Sequence, residues 1–182
     1  MFPSTFLLVF ITIQASLCLD DDYYWREYTG TIPDDALVGG QDINNKNVYI
    51  GQAYVHNEGL IVSEIFPGIR EVQAPINGVK TVKSYIKILC GAQQNFYWAQ
   101  ANASHLHVQM IDKRPIIGGH EVGGILNIGR ISYEGDIKIG KVISFRTESA
   151  LLHFNVKGTE KGVSSYEILL FNDNAVDVRL GK

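Results

Sequence analysis

His105-Leu106-His107 is the pattern in this sequence closest to a metal site, because residues at i and i+2 of a strand share a face. Structural zinc normally takes four ligands, and no Cys, Asp or Glu lies in the immediate neighbourhood, so no metal is expected there. Gly118-Gly119-His120-Glu121-Val122-Gly123-Gly124 has the glycine density of a phosphate cradle. It lacks the Lys-Ser/Thr end of a P-loop and precedes a strand pattern rather than a helix, so a tight turn is the better reading. A hydrolase nucleophile is missing as well, since there is no Gly-x-Ser-x-Gly elbow and Cys90 has no His beside it. His56, His120 and His153 stand alone. These patterns name no catalytic residue and no cofactor, and an enzyme is not expected.

The elements available to position any other chemistry are short. Apolar residues hardly ever recur at helical spacing, whereas alternating β-branched and aromatic residues bounded by Gly, Asn and Asp recur throughout, a pattern that predicts an all-β fold. The longest alternation runs from Val79 to Leu89 and predicts one continuous strand. Further strands are expected over 48–55, 60–66, 124–133, 136–145, 151–156 and 164–171. Asn57-Glu58-Gly59 and Glu134-Gly135-Asp136 carry the glycine that hairpin turns need for a positive φ.

An uncharged apolar run from Phe6 to Ile13, small residues at Ser16 and Cys18, and then Asp20, Asp21 and Asp22 predict a secretory signal peptide over 1–18. The apolar core is well short of the roughly 20 residues a membrane helix needs, so no membrane span is expected and the chain is read as secreted. Removal of Cys18 leaves Cys90 as the one remaining cysteine, either a buried structural thiol or half of an intermolecular bridge. A chain of this length buries roughly 70% of its unfolded surface and needs no staple. Its net charge of −3, with the Lys and Arg residues scattered along the chain and no basic cluster beyond the Lys113-Arg114 pair, argues against nucleic acid as a partner. Asn102-Ala103-Ser104 is the glycosylation sequon, expected on an exposed connection.

Five landmarks recur in order. Trp25 answers to Trp98, Gly39-Gly40 to Gly118-Gly119, Ile50-Gly51 to Ile128-Gly129, Gly59 to Gly135 and Ile88-Leu89 to Ile168-Leu169, at offsets of 73, 79, 78, 76 and 80 residues. This predicts two tandem repeats, 19–97 and 98–182, packed as one compact antiparallel sandwich or barrel with approximate two-fold symmetry. Equivalent tryptophans in such an arrangement are expected to fill the same gap in the core.

The order Tyr24-Trp25-Arg26-Glu27-Tyr28, Ile32-Pro33-Asp34-Asp35-Ala36-Leu37, Gly39-Gly40-Gln41-Asp42 and Val48-Tyr49-Ile50-Gly51-Gln52-Ala53 resembles the DM-nine repeat family of animal proteins. The second half carries it more loosely, in Ile116-Ile117-Gly118-Gly119-His120-Glu121, Leu126-Asn127-Ile128-Gly129-Arg130 and Ile139-Gly140-Lys141-Val142. The resemblance implies a mannose-binding lectin, of a kind associated with immune pattern recognition. In such lectins an Asp after the Gly-Gly pair and a Lys about twenty residues later hold the sugar. Carried over, the first repeat offers Asp42 but has Glu64 at the Lys position, and the second offers Lys141 but has Glu121 at the Asp position. Glu121 has two acceptor oxygens for sugar hydroxyls and Lys141 a donor, which makes the second repeat the better site, whereas Asp42 and Glu64 would repel each other. Glycans are the implied partners, and a homodimer would link weak sites. The competing reading is a non-catalytic extracellular interaction or structural protein in which the sugar site is lost.

Overall fold

The computed structural model describes residues 23–172. The expected signal peptide and Cys18 lie outside the described residues. The first half forms β1 (Tyr24–Glu27), β2 (Val38–Gln41), β3 (Asn47–Val55), β4 (Gly59–Ile65), β5 (Val72–Pro75), β6 (Val79–Val82) and β7 (Ile86–Cys90). The second forms β8 (Phe96–Asn102), β9 (Arg114–Pro115), β10 (Ile117–Glu121), β11 (Gly124–Tyr133), β12 (Asp136–Val142), β13 (Leu152–Val156), β14 (Thr159–Val163) and β15 (Ser165–Phe171). One short α-helix, α1 (Leu106–Gln109), and a 3-10 turn over Gln93–Asn95 interrupt them. No helix among the described residues is long and apolar enough to cross a membrane.

The fold is all-β. Thirteen strands join in one branched antiparallel sheet, and β5 and β6 form a separate hairpin. β3 pairs with β4 along one side, and with β2 and then β7 on successive stretches. β11 pairs in the same way with β12, β10 and β15. β1 sets Trp25 opposite Leu89 on β7, and β8 sets Trp98 opposite Leu169 on β15. The ladder shifts register between Val38 and Gly40 in one half and between Ile117 and Gly119 in the other. A central core takes Leu37, Ile50, Val62 and Leu89 from the first half and Ile116, Ile128, Ile139 and Leu169 from the second. Each half also has a flanking core of its own.

The halves join where β4 pairs β10, with Leu60 opposite His120 and Gly59 opposite Glu121. Both Gly-Gly pairs lie in strands at the seam where the halves meet, and the tight turn expected of the Gly118–Gly124 run falls at Val122-Gly123, between β10 and β11. The role of the pairs is close approach: a Cβ on Gly118 would meet Val62 at 2.4 Å, and one on Gly39 would meet Ile139 at 2.3 Å. The Gln52 side-chain amide donates to the Gly118 carbonyl at 2.7 Å, and Arg130 donates to the Gly39 carbonyl at 2.8 Å, so each half donates into the other.

Three expectations need correction. The run from Val79 to Leu89 is two strands, because β6 pairs β5 whereas β7 joins β1 and β3, and the break falls at Tyr85, whose φ is +55°. Alternation persists on both sides of that change of sheet, so periodicity alone does not reveal it. His105 and His107 are not on a strand. His105 precedes α1 and His107 lies within it, where i and i+2 do not share a face. The last correction is that β12 ends at Val142, short of Phe145.

Gly119→Ala is expected to destabilise the protein by about 3 kcal/mol, because its Cβ would lie 2.0 Å from the Leu60 carbonyl oxygen and force the seam apart. Gly162→Ala, whose Cβ finds nothing nearer than 3.4 Å, should stay within about 0.5 kcal/mol of wild type. Urea unfolding of the two variants checks the contrast.

Candidate functional site

Glu121 ends β10 and Lys141 lies near the end of β12, and the sheet brings them together across β11. The Lys141 ammonium donates to Glu121 Oε2 at 2.5 Å and stands 3.8 Å from Glu160 Oε1 on β14. Its side chain is only 2% exposed, so the ammonium is not offered to solvent. Glu160 is itself held by His153 at 3.0 Å and by the backbone N–H of Gly78, which belongs to the turn of the β5–β6 hairpin. Burial opposes ionisation of Glu160, but His153, the Gly78 amide and Lys141 outweigh it and keep the carboxyl below its ordinary range. Glu58 completes the surroundings, accepting from Lys80 at 2.8 Å and Asn77 at 3.0 Å. These donors, with the field of Lys141, hold its carboxyl low as well.

A shallow, open cavity of about 330 Å³ lies over this group, lined by Tyr54, Glu58, Gly59, His120, Glu121 and Val122. Carboxylates beside an aromatic ring form a surface that can accept hydrogen bonds from adjacent hydroxyls while the ring covers an apolar face. Lys141 serves this surface indirectly, by neutralising and fixing Glu121. Removing one partner of so buried a pair typically costs about 3–5 kcal/mol.

The counterpart residues of the first half are committed to internal hydrogen bonds. Asp42 Oδ1 accepts from the backbone N–H groups of Asn44 and Lys46, both at 2.8 Å, and so caps its own loop. Glu64 is register-equivalent to Lys141, lying opposite Ile50 as Lys141 lies opposite Ile128. It is buried and accepts the Ile139 backbone N–H at 3.0 Å across the seam. Burial pushes its carboxyl up to about 7, against the opposing influence of Lys138 and the Ile139 amide.

Asn102 ends β8 half-buried, its side-chain oxygen accepting from Ser104 at 3.0 Å. Cys90 is fully buried, and burial followed by the Asp35 charge pushes its thiol up to about 11, which fits a packed structural thiol.

Residue spacing did not reveal a second cavity, of about 720 Å³, bounded by Glu27, Tyr54, Leu60, Tyr85, Lys87 and His120. The Tyr54 and Tyr85 rings meet edge to face at 6.4 Å. Tyr85 is 76% exposed, and its left-handed backbone costs on the order of 1–3 kcal/mol for a bulky side chain. Nothing in the local sequence signals that conformation, since neither Gly nor Asn marks it.

No protein-family profile matches the sequence, and no curated protein matches it. Among solved structures the chain is similar to the nematode sperm cell motility protein MFP2B, with a TM-score of 0.56 and 13% sequence identity over 81% of this chain. The matched region is 42% of that protein's length. At this identity the likeness concerns the fold alone.

The buried Glu64 makes a pH prediction. Its folded-state value of about 7 lies above the ordinary 4.5, so it favours the native state fully below about pH 4.5, and that contribution is lost as pH rises through about 7. Glu64→Gln keeps an oxygen for the Ile139 amide and carries no charge. It should be more stable than wild type by about 3 kcal/mol at pH 8, with the difference vanishing near pH 4.5, in paired urea melts.

Proposed function

We propose that this chain is a secreted carbohydrate-binding protein of the DM-nine type, taking mannose-like sugars at the Glu121 cavity. The observation that carries the reading is a carboxylate fixed by the buried Lys141 at the lip of an open cavity beside Tyr54 and Glu58. Adjacent sugar hydroxyls would donate to Glu121 and Glu58, and the apolar face of the ring would rest on Tyr54. The reciprocal contacts of Gln52 and Arg130 support reading the two halves as tandem copies. Under this reading the second copy supplies the sugar carboxylate, while Asp42 and Glu64 of the first have become structural. A role in pattern recognition belongs to the same proposal, as does pairing of copies to strengthen single weak sites.

The alternative is an extracellular interaction or structural protein without a sugar site, and the commitment of Asp42 and Glu64 to internal hydrogen bonds favours it. The two readings separate on a glycan array. Wild type should bind mannose-terminated glycans, Glu121→Gln should bind at least about tenfold more weakly when assayed below its lowered melting temperature, where circular dichroism shows it folded, and Asp42→Asn should match wild type. Absence of any glycan signal, or equal binding by wild type and Glu121→Gln, would rule the sugar site out.

A further inference from the structure

Three substitutions distinguish the face of the first half from the corresponding face of the second. The pairings Gly51 with Ile88 and Gly129 with Ile168 align the halves, so Tyr54 corresponds to Ser132 and Tyr85 to Ser165. Gln52 corresponds to Arg130. In the second half the Arg130 guanidinium lies 4.3 Å from the centre of the Trp98 ring and also bonds Glu167. In the first, Gln52 turns to the Gly118 carbonyl, and Trp25 lines a cavity of about 360 Å³ with Lys87, Leu60 and His120. The second half has serines at the positions of Tyr54 and Tyr85, so the fold itself does not require those two rings to face outward, whereas Trp25 and Trp98 both pack half-buried against the central core.

The resulting surface is continuous. The Trp25 cavity shares Leu60, Lys87 and His120 with the 720 Å³ cavity under Tyr85, and that one shares Tyr54 and His120 with the Glu121 cavity. Along its length the middle section is mostly apolar, and its one acidic and one basic side chain, Glu27 and Lys87, are cross-strand neighbours whose charges offset. A neutral ligand fits that balance better than an ionic one. The strained backbone of Tyr85 holds its ring in solvent, where it stabilises no core.

We propose that this groove binds a linear chain of neutral hexoses, with one residue of the chain in the Glu121 cavity and the following ones stacked on Tyr54, Tyr85 and Trp25. The inference rests on the reading of the Glu121 cavity as a sugar site and deepens it from a single sugar to an oligosaccharide. Rings spaced along a groove suit such a chain because each hexose presents a C–H face to an aromatic surface and directs its hydroxyls to the rim.

Titration calorimetry of the full chain with mannose and with linear mannotriose tests it. Wild type should bind mannotriose at least about tenfold more tightly than mannose. Tyr85→Asn, which removes the ring and suits a positive φ, should bring that ratio near one, leave mannose affinity unchanged and melt at or above the wild-type temperature. Tyr54→Ser, the residue pair already present in the other half, should weaken both sugars because Tyr54 borders both cavities. A tenfold preference that survives Tyr85→Asn, or equal affinity of wild type for the two sugars, overturns the groove while leaving the Glu121 site standing. Failure of wild type to bind either sugar overturns both.

Discussion

The structure depends on a close backbone crossing between its halves. Four glycines, Gly39, Gly40, Gly118 and Gly119, occupy places where any side chain would collide with the opposite half, with Ile139, Ile137, Val62 and Leu60 respectively. Their strands can therefore lie directly on the opposite half, and Gln52 and Arg130 reach across to carbonyls that burial would otherwise leave without water. An unpaired carbonyl in such a place costs about 1–3 kcal/mol, so the reciprocal side-chain donors are as necessary as the glycines. The central core follows from this crossing, because it brings Ile50 and Val62 against Ile128 and Ile139.

Within that frame, equivalent positions have taken opposite chemistry. Arg130 satisfies Gly39, pairs with Glu167 and covers Trp98, three tasks for one guanidinium with several donors. Gln52 performs only the first of these tasks and leaves Trp25 at the wall of a cavity. A similar economy is seen at Glu64 and Lys141. Both are buried near the seam, but the acid needs one backbone amide, whereas the ammonium needs carboxylates around it and so organises Glu121 and Glu160.

Much of the architecture is written in the spacing of residues. Trp25 and Trp98, and Ile88-Leu89 and Ile168-Leu169, sit in matching strand pairs because a two-residue alternation places large apolar side chains on fixed faces once the sheets close. The glycine pairs were conspicuous in the chain, but a glycine has two uses, positive φ and close approach, and only the partner strand shows which applies. Tyr85 was hidden for a different reason: its conformation is imposed by the change of sheet between β6 and β7, a tertiary event that neighbouring residues do not encode. The pairing of Glu121 with Lys141 could be anticipated, but their burial could not, because Glu160 and the Gly78 amide reach the group from β14 and from the turn of the β5–β6 hairpin.

Burial of Lys141 changes what the candidate site can do. An exposed lysine would bind a sugar hydroxyl directly but would sweep through many rotamers, and fixing it on binding would cost up to about 2 kcal/mol. Enclosed by Glu121 and Glu160, the ammonium has already lost that freedom during folding, and it holds the Glu121 carboxylate, whose side chain is 9% exposed, in one orientation at the cavity wall. For a sugar of the kind proposed, the acceptors and the aromatic ring would be set before the ligand arrives. Such a preorganised surface is shallow and modest in area, so under the proposed sugar reading any strength beyond a single-sugar contact would have to come from neighbouring surface. In this chain that surface is the aromatic face of the first half, which the Gln52, Tyr54 and Tyr85 positions have left uncovered.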